Sequence, residues 1–351
     1  MAQLLERQQV AKREDLLDLL TRVDEKATPF MSMASRGPTP HNTRLDYPVD
    51  AYTAPQIGGI TDGVDIAETG GGSYENPAAN RKLLHTYLQT FRRAAMISRL
   101  ANDVSNVAGV ASEKANAVSV KGVELLRDLE STFLSDQELQ IDNGTLPYLT
   151  RGLGVWIRDT AHINSAGFGS TAGQASGHEV DAAFRPAAGQ IIDTAAGSLT
   201  ESNIQTLLQA IWNATGMSGD YKLFCDGTMR RAFTDFTRTI AGAGYSSRNF
   251  NQDASSKTVV NSTTIFEGDF GSIEICPSHF IGRKANPSDA AQESGRAYLL
   301  DMDKISIRMS KSPTVESFED RGGGERIMIE ARAALQVTNP LGLAQFSESL
   351  N

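Results

Sequence analysis

The chain has 351 residues, and 33 Lys and Arg against 42 Asp and Glu give a formal net charge of −9. Hydrophobic residues make up 40% and charged residues 21%, a balance too apolar for global disorder and too acidic for a protein whose main task is gripping nucleic acid. Single cores stop growing near ~250–300 residues, so this length allows one large domain or several ordinary ones.

Cys225 and Cys276 are the two cysteines. They form no CxxC, no zinc pattern and no secreted disulfide framework, which favours a reducing compartment. The opening MAQLLERQQVAKREDLLDLL is not a signal peptide, because charges interrupt every apolar run. No stretch approaches the ~18 consecutive apolar residues of a membrane span.

Residues 3–26 read as an amphipathic helix, with Leu4, Val10, Leu16, Leu17, Leu20 and Val23 near helical spacing. It packs on its own domain or lies as an arm on a neighbour. The Thr28-Pro29 step ends it, because a residue before proline avoids the α region.

Leu45, Tyr47 and Val49 alternate with Arg44, Asp46 and Asp50, which predicts a strand, and residues 83–91 (LLHTYLQTF) predict a second. Between them lie Gly58, Gly59, Gly63, Gly70, Gly71 and Gly72. A long structureless loop inside a compact domain is improbable, so an extended two-stranded arm is expected. An isolated hairpin is marginal in water and needs something outside itself to lie on. Asp62, Asp65, Glu68 and Glu75 fall on the outgoing limb and tip, whereas Arg81, Lys82, Arg92, Arg93 and Arg99 fall on the return. These are solvated charges on an exposed hairpin or complementary contacts between neighbouring copies. The second reading would set register more than affinity.

Residues 107–136 predict a long helix, stepping through Val107, Ala111, Ala115, Val118, Gly122, Leu125, Leu129 and Phe133. At ~1.5 Å per residue it is a rod of ~45 Å. Ala111, Ala115 and Gly122 would let a sheet approach closely. Residues 140–199 are rich in Gly and Ala, with Leu153–Ile157 (LGVWI) as a short buried strand. Thr200 or Ser202 caps a helix carrying Ile204, Leu207, Leu208 and Ile211. Tyr221–Cys225 reads as a strand, Met229–Phe236 as a helix, and 239–257 as a mobile loop. Thr258–Phe266 and Gly271–Cys276 form a strand pair through Glu267-Gly268-Asp269.

The last part is strongly β. Ile305, Ile307 and Met309 alternate with polar residues, and after the GGG at 322–324 the set Ile327, Ile329, Ala331, Ala333, Leu335 and Val337 does the same. One dry face and one mainly polar face are expected. A long hairpin beside a long helix suggests an α+β layer.

Chemistry-bearing motifs are missing. The chain has no GxxxxGK[ST], no GxGxxG after a strand, no HExxH and no GxSxG. His41, His85, His162, His178 and His279 are scattered, and His279 near Cys276 reads as packing rather than a dyad. Asp301 and Asp303 would share a strand face, but two carboxylates fall short of the ~6–8 oxygens calcium takes. The sequons at Asn213 and Asn261 have no secretory signal to expose them. No catalytic, cofactor-binding or metal residue is assigned, and the chain reads as a non-enzyme without cofactors.

Three segments carry a resemblance: ATPFMSMASRGP (Ala27–Pro38), GVELLRDLESTFLS (Gly122–Ser135), and the closing block from RAYLLDMDKISIRMSK through ERIMIEARAALQVTNPLGLAQF. In this order they resemble the major capsid protein of tailed bacteriophages, the HK97-like fold. The resemblance implies an α+β chain with an N-terminal arm (1–41), an extended loop (42–100) and a peripheral domain over 101–199 whose spine helix is 107–136. An axial domain (200–297) and the peripheral domain's C-terminal strands (298–351) follow. It implies self-assembly into hexamers and pentamers of an icosahedral shell enclosing double-stranded DNA, in the virion, after assembly in the host bacterial cytoplasm. Slight acidity suits a container, since a strongly basic lining would bind the packaged duplex through counterion release. Contact with DNA is expected to be weak and sequence-independent.

The pre-hairpin stretch is too short for a large built-in scaffold, so a separate scaffolding protein and a portal are expected, with a cement protein as a further partner the family allows. No membrane partner is implied. Lys82 beside Asn76 or Asn80 is the one locale for a covalent crosslink, against the plainer reading of a surface lysine. Rival readings are a tail-tube or decoration subunit, which the spine helix disfavours, and a hydrolase using Cys225 or a histidine.

Overall fold

The computed structural model describes residues 27–55, 57–58, 62, 76, 78, 80–100, 112–157, 180, 182–194, 200–236, 264–281, 296–319 and 324–348. The expected helix over 3–26, most of the glycine-rich tip and the loop 239–257 lie outside these residues.

In chain order the elements are α1 (Pro29–Met33), β1 (Ser35–Arg36), β2 (Arg44–Val49), β3 (Lys82–Tyr87), β4 (Gln89–Ile97), α2 (Glu113–Phe133) and α3 (Leu153–Trp156). There follow β5 (Ile191–Thr194), α4 (Glu201–Thr215), β6 (Gly219–Cys225), α5 (Gly227–Phe236), β7 (Ile265–Gly268), β8 (Gly271–Pro277), β9 (Arg296–Leu300), β10 (Ile305–Phe318), β11 (Glu325–Val337) and β12 (Ala344–Glu348). The strands make a four-stranded sheet (β1-β10-β11-β4), a six-stranded sheet (β5-β12-β9-β6-β8-β7) and the pair β2-β3.

The six-stranded sheet is a wall between two cores. Leu223, Cys225, Ala297 and Leu299 face Ile204, Leu207, Leu208 and Ile211 of α4 and Met229 and Phe233 of α5. Their strand neighbours Phe224, Tyr298 and Leu300 point the other way, into the core built on α2 and β11. Successive strand residues face opposite sides. A sheet buried on both faces therefore needs a continuous apolar run, and all of Arg296–Leu300 is buried. Asp226 accepts from Met229 N–H at 2.8 Å and starts α5. Gly216, at φ 69°, ends α4 in a left-handed turn that glycine adopts without steric cost.

The long helix is present over Glu113–Phe133, and Ser112 caps it by accepting from Ala115 N–H. The expected turn at 107–111 lies outside the described residues, and the C-terminal end comes before 136. Only its second half is fully buried, at Leu125, Leu129, Glu130 and Phe133. A Cβ on Gly122 would sit 3.9 Å from Ile329 Cδ1, ordinary contact, so the sheet does not require glycine there.

Three expectations are corrected. Residues 83–91 are two strands, not one: β3 pairs with β2 and β4 with β11. The chain changes sheets at Leu88, and Gln89 Oε1 is anchored by Thr150 N–H (3.1 Å) and Gln137 Nε2 (2.6 Å). Leu153–Trp156 is a helical turn, not a strand. Gly152 N–H donates to Gln137 O (2.8 Å) and Gly154 N–H to Ser135 O (3.2 Å), so contacts with the chain just after α2 override the β preference of Val155 and Ile157. Strand β11 is buried on both faces around Met328, Glu330, Ala334 and Gln336, because long side chains from β4 and β10 roof the polar face. Gln89–Ile97 is an edge strand of the four-stranded sheet, and β9 and β12 lie side by side in the six-stranded sheet.

Two register shifts interrupt β10, between Met309 and Lys311 and between Lys311 and Thr314. Bulges bend and twist a strand, and beyond them every residue from Ser312 to Phe318 is exposed.

Candidate interaction surfaces

The base of the β2-β3 pair is seated on the body. Leu45, Tyr47, Leu84, His85, Thr86 and Tyr87 are buried. Tyr47 Oη donates to Val337 O at 2.8 Å, and burial pushes its phenol pKa up. Past Val49 this support ends. Ala51–Pro55, Ile57 and Gly58 are all exposed, with Tyr52 at 103% and Ile57 at 101% of full exposure. The limbs are tied at the root by Arg81 Nε to Asp50 Oδ2 (3.1 Å) and Asn80 Nδ2 to Ala51 O (3.2 Å).

Of the residues expected to meet neighbouring copies, Asp62 is exposed, and Asp65, Glu68 and Glu75 lie outside the described residues. Lys82 is half-buried opposite Val49. Asn76 Oδ1 accepts from Ala78 N–H, so Asn76 and Asn80 both serve the local turn. Arg81, Arg92 and Arg93 have carboxylate partners within the chain. Arg93 makes a two-pronged contact with Asp128 of α2 (2.5 and 2.6 Å), which raises its pKa and ties β4 to the helix.

Arg92 Nη2 donates to Glu330 Oε2 at 2.8 Å. Around the same carboxylate, Arg332 Nη2 lies at 2.9 Å and Lys311 Nζ at 3.6 Å. The Glu330 side chain is 4% exposed, but Arg92 and Arg332 are 58% and 51% exposed. The Arg92 bond, with the other cations behind it, holds the Glu330 carboxyl below its ordinary pKa. Lys311 also binds Glu316. Three cations against these two carboxylates leave the patch one positive charge in excess. Sequence reading missed Glu330, Lys311 and Arg332 because cross-strand register, not local spacing, brings them together.

Further charges, buried or half-buried, gather around the C-terminal end of α2 and the chain just after it. Arg296 of β9 pairs with Asp136. Arg151 pairs with Glu138 at 2.9 Å and lies 4.8 Å over the Trp156 ring. Glu130 accepts from Phe30 N–H (2.9 Å) and Met31 N–H (2.8 Å), and desolvation pushes its carboxyl pKa up against those bonds.

The cysteines are poorly placed for catalysis. Burial pushes the Cys225 thiol up to about 12 and raises that of Cys276. Cys276 Sγ packs 3.9 Å from Met33 Sδ, and His279 meets the edge of Phe280. Asp301 accepts from Asp303 N–H and caps a short turn. Among the described residues, no three His, Cys, Asp or Glu gather to hold a metal.

The family described as the SU10 major capsid protein matches residues 4–348. The chain is similar in structure to the capsid asymmetric unit of cyanophage A-1(L), at TM-score 0.64 and 11% identity, covering 97% of this chain and 98% of that one. For the capsid of the native GTA particle the figures are 0.58, 12%, 97% and 95%. For the Mycobacterium phage Bobi structure they are 0.58, 11%, 97% and 96%. At such identities the likeness is one of fold. No curated protein sequence matches the chain.

Proposed function

This chain belongs to the SU10 major capsid protein family, and from that premise we propose how its parts build the shell. It is a structural, non-enzymatic subunit with a mixed α/β HK97-like fold, and it assembles with its own copies into the head shell of a tailed bacteriophage. The bare limb carries the reading. Tyr52 and Ile57 project wholly into solvent from a hairpin whose base is firmly seated, so the limb's apolar side chains need a surface on another subunit. A closed shell made of repeated heterologous contacts supplies such surfaces.

In this reading the subunits form hexamers and pentamers. Residues 1–41 are the N-terminal arm, and the extended loop leaves at 42 and is back on the body by Leu88. The four-stranded sheet with α2 forms the peripheral domain. The six-stranded sheet with α4 and α5 forms the axial domain, which gathers around the symmetry axes. Asp62, Asp65, Glu68 and Glu75 of one copy face cations of the next. Arg92 is the best donor among them, because its exposed head sits in a patch with net positive charge, whereas Arg93 is held by Asp128. A separate scaffolding protein and a portal complete assembly, a cement protein fits outside, and contact with packaged DNA is weak.

Negative-stain images of the expressed chain, with and without scaffold, test this reading. Closed shells are expected, and tubes or solitary monomers would refute it. Reversing the four acidic residues to lysine is expected to stop or slow assembly in low salt. Unchanged assembly would remove the charge contact while leaving the shell reading intact.

A further inference from the structure

The short helix α1 begins without a local cap. Pro29 has no N–H to satisfy, and the Thr28 side chain makes no capping bond. Its next two amides would be orphan donors in a buried place. Both are satisfied from 99 and 100 residues away, by the two oxygens of Glu130. Glu130 is itself fully buried near the end of α2, and Ser278 Oγ, at 3.5 Å, is its further partner. A buried carboxylate costs several kcal/mol unless hydrogen-bonded, so this arrangement is not the default for a core helix.

The segment that Glu130 grips crosses a seam. Phe30 packs edge-on against Phe133 of α2 (6.4 Å) and Phe224 of the six-stranded sheet (5.5 Å). Met33 meets Cys276 on the same sheet. Two residues on, Ser35 and Arg36 pair with Ser306 and Ile307 in the four-stranded sheet, and Gly37 N–H donates to Ile307 O at 3.1 Å. One stretch of chain thus touches both sheets and the helix between them.

We propose that Glu130 is a clasp: by accepting the Phe30 and Met31 amides it holds Pro29–Arg36 docked across the seam. Glu130 is a positioning residue, acting through that segment. The rival role is plain core filling. In that role leucine would do as well or better, because it removes a desolvated charge. As a clasp, neither leucine nor glutamine suffices. Leucine offers no acceptor, and the glutamine NH₂ group turns a donor toward one of the two amides.

The test uses the full-length chain carrying Glu130→Gln or Glu130→Leu and needs no shell, so it is separable from the assembly reading. Trypsin cleavage after Arg36 and deuterium uptake of residues 28–36 are compared with uptake of 325–337 in β11. Both variants are expected to be cut after Arg36 faster than wild type and to exchange the 28–36 amides about tenfold faster or more, the ratio matching ~1.4 kcal/mol, with β11 unchanged. Wild-type protection of 28–36 in the leucine variant would overturn the proposal. A uniform rise in both segments, or a chain that fails to fold as a whole, would also overturn it, because a clasp is a local device.

Discussion

Replacing Glu330 with glutamine removes the one buried carboxylate on which Arg92, Lys311 and Arg332 converge. Exposed ion pairs are worth ~0.2–1 kcal/mol, and breaking a fully buried pair costs ~3–5 kcal/mol. Here the carboxylate is buried but the guanidinium heads of Arg92 and Arg332 are more than half exposed, so the loss falls between, at ~1–3 kcal/mol near pH 7. Contacts of 2.8 to 3.6 Å lie inside the ~8 Å Debye length of physiological salt, which therefore screens them only in part. The pH dependence has a definite sign. The folded pKa of Glu330 is depressed, so its contribution is complete above the unfolded carboxyl value and disappears as pH falls through the folded one. Urea unfolding of wild type and Glu330→Gln at pH 7 and near pH 3 is the assay. Other carboxylates titrate in both chains and cancel in the difference. The gap is expected at pH 7 and should close in acid. Equal stability at pH 7, or an undiminished gap near pH 3, would refute the reasoning.

Phe30→Ala should cost ~3–5 kcal/mol by the same unfolding assay, the usual range for emptying a buried aromatic site. Two glycines should behave oppositely. A Cβ at Gly152 would overlap the Ser135 carbonyl oxygen, so Gly152→Ala should lower Tm by several degrees. Gly122→Ala has room beside Ile329 and should be neutral or stabilising by up to ~1 kcal/mol through helix propensity. With its thiol pushed up to about 12, Cys225 should resist iodoacetamide at pH 8 in the folded chain and react promptly in urea. Rapid labelling of the native chain would show that its burial is wrong.

The periodic elements were the legible ones. Alternation from Ile327 to Val337 and helical spacing from Leu125 to Phe133 each report a buried face directly. Leu153–Ile157 misled because local preference favours a strand there, while the backbone groups it must satisfy belong to Ser135 and Gln137, which spacing does not reveal. The break at Leu88 was hidden for a related reason: both halves are good strand sequence, and only the partner changes. Arg92 and Glu330 stand 238 positions apart, so their meeting is a fact of register. Glu130 left a faint local trace. Sequence reading missed it, although Leu126 and Leu134 stand one helical turn to either side, a setting that could have marked the carboxylate as inward-facing.

The most direct test is a high-resolution cryo-EM reconstruction of heads assembled from this chain. Tyr52 and Ile57 should lie buried against a neighbouring copy, with α1 still held at Glu130 of its own chain. A limb folded back on its own body, with those side chains covered from within, would contradict the view that this hairpin finds its missing surface in another subunit.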